Sequence, residues 1–190
     1  MTNLENLYIN WLNKNNIEIR DEVLQRYGFH IFVRYALIIF LVLIISIILD
    51  NFLATLILMT SFSILRSRIG GLHFKNSCIC FIVTLIFLIT LPIIWRNISI
   101  PYVVEFGVCI LNIFIIFIIG PIDCDQKKLT DFENKINKKY AIYISCFYLF
   151  IVISIKSDLV KYMILSIIIN IISLLISKIS FVYQVKMKNI

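Results

Sequence analysis

The chain has 190 residues, 61% of them hydrophobic and 15% charged, with a formal net charge of +7. Soluble domains carry about 45–50% apolar and about 25% charged residues, so this composition excludes an ordinary soluble globular protein and indicates an integral membrane protein. The positive charge alone would allow a nucleic-acid partner, but its placement along the chain argues for none.

Residues 1–28 contain Glu5, Lys14, Glu18, Arg20, Asp21, Glu22 and Arg26, which leaves no early apolar core for a secretory signal. Within them Leu4, Leu7, Tyr8, Trp11 and Leu12 form one apolar stripe at helical spacing. That stripe predicts a short amphipathic helix, either lying in the membrane interface with Trp11 near the headgroups or packed on the cytoplasmic face of a bundle. A helix crossing the hydrocarbon core needs about 20 apolar residues, with about 17 near the lower limit. Six stretches are candidates, at 32–49, 52–65, 78–95, 100–119, 140–155 and 162–182. The second is short, which predicts little tilt, a thinned bilayer or a re-entrant end, and Pro92 is expected to bend the third. The expected fold is an all-α integral membrane protein of about six transmembrane helices with an N-terminal interfacial amphipathic helix. It forms a single polytopic membrane domain over 1–190, with an interfacial segment at 1–28, a loop-helix at 66–80 and a basic loop at 121–139. The chain shows no internal repeat and no G-x-x-x-x-G-K-[ST] among its five glycines, so nothing suggests nucleotide-driven transport.

Cationic residues give the orientation. All of the 18 Lys and Arg residues except Arg96, Lys156 and Lys161 fall on one side of a six-span arrangement. The positive-inside rule assigns that side, with both termini, to the cytoplasm. The five cysteines, Cys78, Cys80, Cys109, Cys124 and Cys146, are odd in number and lie mostly within apolar stretches, so a disulfide framework is not expected.

The stretch "RSRIGGLHFKNSCIC" at 66–80 stands out between two hydrocarbon runs. A cysteine thiolate is a nucleophile, and a neighbouring imidazole can take its proton and later return it to a leaving amine. His73 and Cys80 are the candidate pair. On an unbroken helix their seven-residue separation spans about 10.5 Å, too far for a hydrogen bond. Gly70 and Gly71 permit the backbone to fold between them. If Asn76 or Ser77 caps the third span, Cys80 falls in its first turn. Unpaired N–H groups and the positive helix end there stabilise a thiolate and can serve an oxyanion. Cys78 competes as nucleophile but lies about 200° around the helix from Cys80. The plainer alternative makes Cys80 a small apolar residue and His73, like His30, an interfacial histidine. A metal site of His73, Cys78 and Cys80 lacks a fourth ligand and the usual spacing, so no metal and no cofactor is expected.

The pattern Arg66-x4-Gly71-x-His73-x6-Cys80, at the cytosolic edge of a six-span bundle, resembles the accessory gene regulator B (AgrB) family. "DEVLQRYGFHIF" at 21–32, with Tyr27-Gly28, looks like that family's segment before its first span. "GPIDCDQKKL" at 120–129 is similar to its proline-led, lysine-rich loop. The resemblance implies a membrane cysteine endopeptidase that processes a precursor signal peptide (AgrD-like), with Cys80 as nucleophile, His73 as base, and Arg66 and Gly71 at positions the family also uses. It also implies a homodimer in a bacterial cell membrane. Gly70 and Ser77 are supporting residues, and Asp123 or Asp125 is a candidate to orient His73 as a third member, against plain surface solvation. Arg68, Lys127 and Lys128 are candidates to hold an acidic precursor tail, although topology and contact with anionic membrane lipid account for them as well. Glu105, near the outer end of the fourth span, receives no role. The rival reading is a membrane peptide carrier or interaction protein in which His73 and Cys80 are structural.

Overall fold

In a computed structural model of the chain, the described residues are 2–15, 21–70, 77–122 and 130–188, with backbone alone at 2–4, 77, 78, 80, 81 and 181–188. They form helices and no strand. The helices are α1 (Thr2–Lys14), α2 (Glu22–Ile48), α3 (Phe52–Ile69), α4 (Ser77–Trp95), α5 (Tyr102–Ile119), α6 (Asp131–Ser154) and α7 (Val160–Lys188). Five of them, α2, α3, α5, α6 and α7, are long and apolar enough to cross a membrane, and α4 contributes the shorter apolar run Ile82–Trp95. The chain is therefore an all-α integral membrane protein, as its composition requires. It comprises two compact units, Met1–Ile45 and Ser46–Ile190.

In the first unit, α2 begins where Asp21 Oδ1 accepts the amides of Val23 (2.9 Å) and Leu24 (3.1 Å). This N-cap satisfies two of the donors that every helix start leaves open. The α1 helix lies along this start of α2. Tyr8 stacks on Phe29 with ring centroids 4.3 Å apart, and Arg26 donates to Asn6 Oδ1 at 2.7 Å. The stripe expected on α1 is split, because Leu12 is buried and Tyr8 half-buried whereas Leu7 and Trp11 are exposed, and Ile9, outside the stripe, is buried. An open groove of about 560 Å³ is lined by Tyr8, Leu24, Tyr27, Gly28 and Phe32 among others.

In the second unit, α7 is the central helix. Half of its most apolar window is buried, against a third for α3 and less for α5 and α6. It packs on α3 and α5, while α3 and α5 also pack on α6 and α3 on α4. Leu65 and Ile69 of α3, Ile116 of α5, and Ile164, Ile167 and Leu174 of α7 are almost fully buried where these helices meet. Outward faces remain apolar, with Phe114, Phe117, Phe147 and Phe150 largely exposed, as surfaces solvated by lipid must be. Lipid gives apolar faces no reason to associate, so packing and inter-helix hydrogen bonds must hold the bundle. Among the described residues such bonds include three made by uncharged side chains. Asn112 Nδ2 of α5 donates to Ser145 Oγ of α6 (2.8 Å), Tyr148 of α6 donates to the Ser61 carbonyl of α3 (3.0 Å), and Asn170 Nδ2 of α7 approaches the Phe62 carbonyl (3.5 Å).

Several boundaries differ from expectation: α2 starts at Glu22, ten residues before the expected 32, and α7 runs on to Lys188, past the expected 182. The second span is not short, because α3 continues to Ile69 and has 18 residues. Arg66 and Arg68 are tolerated in its last turn because the guanidinium groups lie 5.2 Å and 5.1 Å over the rings of Phe62 and Tyr140, and cations favour the negative helix end. The basic stretch at 121–139 is also partly helical. Thr130 and Glu133 form a reciprocal capping box that starts α6 at Asp131, so Lys135, Lys138 and Lys139 ride on a helix. The α4 helix continues through Pro92.

Candidate functional site

The candidate site residues fall where α3 ends and α4 begins. Gly70 closes α3, its amide donating to the Arg66 carbonyl at 3.0 Å, with φ 72° and ψ −148°. That conformation belongs essentially to glycine. The α5 helix ends the same way, at Gly120 with φ 70° and ψ −175°. The two ends are stapled together, since the Ile122 amide donates to the Ile69 carbonyl at 3.2 Å. A Cβ at Gly70 would meet the Ile122 carbonyl oxygen at 2.7 Å, whereas one at Gly120 would touch only the Lys138 stem at 3.7 Å. Gly70 is therefore required twice, for its dihedrals and for the close approach of the backbone at 122.

This staple fixes the roots of two segments. The chain from Gly70 leads into Gly71 and His73, and the chain from Ile122 leads into Asp123, Lys127 and Lys128. Gly71, His73, Asp123, Lys127 and Lys128 lie outside the described residues, as do Asn76 and Asp125. Ile69 and Ile122 are hydrogen-bonded neighbours, so the last described residues before the two segments lie together. The α4 helix starts at Ser77, which puts Cys80 in its first turn, and α3 packs on α4. The helix that ends at Ile69 and the one that starts at Ser77 are therefore two helices packed on each other, not one continuous rod. The side chains of Ser77, Cys78 and Cys80 are outside the described residues.

Cations collect at this end of the bundle. Arg66 donates to Ser173 Oγ of α7 at 3.3 Å while stacking on Phe62, Arg68 lies over Tyr140, and Lys138 Nζ is 5.1 Å from the Phe117 ring. Each cation covers a ring with its charge and lays its stem along apolar surface. The opposite end is closed differently, by Lys161 Nζ of α7 donating to the carbonyls of Arg96 (2.8 Å) and Ile98 (3.3 Å). Glu105 sits in the first turn of α5, where the helix dipole favours a carboxylate. Cys109 is buried and Cys146 exposed, both as free thiols.

Sequence reasoning missed Ser173 and the other polar residues of α7. Ser166, Asn170 and Ser173 are all buried, and with Ser177 they recur at spacings of four, three and four residues. That period marks one helix face, and polar side chains inside a span are the signal that finds it.

Comparison with known proteins identifies the family. The family model "Accessory gene regulator B" matches residues 5–176. Accessory gene regulator protein B of Staphylococcus aureus (strain Newman) is 30% identical over 131 residues, covering 69% of each chain. A putative AgrB-like protein 2 of Clostridium perfringens (strain 13 / Type A) is 30% identical over 140 residues, 70% of this chain and 65% of that one. A putative AgrB-like protein of Clostridium perfringens (strain SM101 / Type A) is 29% identical over 167 residues, 80% and 78%. No solved structure matches. A family match over residues 5–176, most of the chain, shows that the chain belongs to the accessory gene regulator B family.

Proposed function

We propose that the protein is a cysteine endopeptidase of a bacterial cell membrane that processes a precursor signal peptide for quorum sensing. The observation that carries this reading is the helix break between Ile69 and Ser77, with Cys80 in the first turn of α4 and Gly70, three residues before His73 in sequence, packed against the backbone at Ile122. In the proposed reaction His73 takes the Cys80 proton and the thiolate attacks the scissile carbonyl of the precursor. Free N–H groups at the start of α4 serve the oxyanion. The C–N bond breaks, His73 protonates the leaving amine, the C-terminal tail departs, and a thioester acyl-enzyme remains. A Cys or Ser within the bound peptide then attacks the thioester, giving a thiolactone or lactone and restoring the Cys80 thiol. Exchanging an amide for a thioester is uphill, so removal of the tail drives the sequence forward. Water must be kept from the acyl-enzyme, which a site sunk at the edge of a membrane bundle favours.

Arg66, Gly70, Gly71, Ser77 and Asp123 support the site in this reading, and Arg68, Lys127 and Lys128 hold the precursor tail. The stapling of Ile122 to Ile69 supports it, because it roots the lysine-bearing segment beside the His73 segment. Both termini face the cytoplasm, and the protein works as a homodimer among membrane lipids. The test is cleavage of a synthetic precursor by protein reconstituted in liposomes. Cys80→Ala should abolish cleavage at unchanged protein level, and Cys78→Ala should retain it. Cleavage surviving in Cys80→Ala would remove the proposal.

A further inference from the structure

Arg66 is held from a helix that the proposed chemistry does not use. Its guanidinium donates to Ser173 Oγ of α7 at 3.3 Å and lies 5.2 Å from the Phe62 centroid one turn earlier on α3. Ser173 is only 7% exposed, and Asn170, fully buried one turn away on the same face, directs Nδ2 to the Ser166 carbonyl (3.0 Å) and towards the Phe62 carbonyl (3.5 Å). Thus the helix turn that carries the stacking ring and the guanidinium itself both have contacts to one polar face of α7.

An arginine side chain loses much of its rotamer freedom when it is fixed. A guanidinium already pinned between a ring and a hydroxyl bears that cost in the free protein, so it binds an anion more tightly than a mobile one. Its planar fork of five N–H donors matches a carboxylate, and Ser173 accepts from one of them. Arg66 lies one turn before Gly70, where the His73 segment leaves α3, and at the end where Arg68 and Lys138 are also gathered. That is an environment for an anionic peptide segment.

We propose that Ser173 is a positioning residue. It aims the Arg66 guanidinium at a carboxylate in the part of the bound peptide that follows the scissile bond. The inference rests on the endopeptidase reading for the identity of that peptide, and it adds a residue of α7 to the substrate-binding machinery. The bland alternative is that Ser173 is a small residue that lets α3 and α7 pack closely. Ser173→Ala keeps the size and removes the hydroxyl, so the two are separable.

The experiment measures binding, with no turnover, using full-length protein carrying Cys80→Ala in lipid nanodiscs. The probe is a fluorescent synthetic precursor with an acidic C-terminal segment, compared with the same peptide bearing amides in place of those carboxylates. Ser173→Ala should weaken binding of the acidic probe about three- to tenfold, the range expected for one hydrogen bond between spans. Ser173→Thr should bind as the parent does. In an Arg66→Gln background Ser173→Ala should have no further effect, and the amide probe should not distinguish the variants. Equal losses from Ser173→Ala with and without Arg66, or equal losses for both probes, would overturn the proposal. Cleavage plays no part in this comparison. Failure of the endopeptidase reading would show separately, as wild-type protein that leaves bound precursor intact.

Discussion

Gly70 is the residue on which the site's geometry turns. Its dihedrals alone would cost another residue about 1–3 kcal/mol, and a side chain there would also drive into the Ile122 carbonyl. Gly120 bears only the first penalty, since its nearest neighbour is the flexible end of Lys138. Gly70→Ala should therefore lower the thermal midpoint in detergent clearly more than Gly120→Ala, and should depress precursor cleavage beyond what the lost stability explains. Equal midpoints for the two variants would mean that the staple between α3 and the 120–122 segment is not rigid. The "GG" before His73 was legible in the sequence as a place where the backbone folds. The sequence gives no hint that Ile122 is its partner, because a contact between residues 52 apart depends on how α5 docks on the bundle.

At the scale of elements, the apolar runs located every span to within a few residues at most ends, since hydrocarbon length limits where a helix can stop. The exceptions were ends carrying charge. Arg66 and Arg68 look like loop residues in a hydropathy reading, yet they extend α3 by laying their stems on Phe62 and Tyr140. Lys135, Lys138 and Lys139 likewise belong to α6, whose start was written locally as Thr130-x-x-Glu133 and was overlooked. Some contacts between spans are hydrogen bonds, and hydropathy is blind to those. Of these, Asn112 to Ser145 links α5 to α6 with both residues 1% exposed. Ser145→Ala leaves the Asn112 amide without that acceptor in a dry interior and should cost roughly 1–2 kcal/mol. Adding Asn112→Leu should recover part of that loss, as read by unfolding in mixed detergent micelles. Simply additive losses would show that the two side chains do not act as a pair.

For the whole molecule, the arrangement is one in which hydrocarbon, charge and chemistry are sorted to different places. Apolar faces point outward along the second unit, polar side chains join helices inside it, and cations gather at the end where α3 turns into α4. Under the proposed function, Cys80 in the first turn of α4 is the nucleophile at this end of the bundle, close to lipid, where an acyl-enzyme can outlast attack by water. Intact-mass analysis tests this most directly. Reconstituted protein is mixed with a synthetic precursor whose internal Cys or Ser nucleophile is replaced by Ala, so that cyclisation cannot discharge the thioester. The account predicts an adduct equal to the precursor without its tail, attached at Cys80, present in Cys78→Ala and absent in Cys80→Ala. An adduct on Cys78, or tail release with no adduct on Cys80, would contradict it.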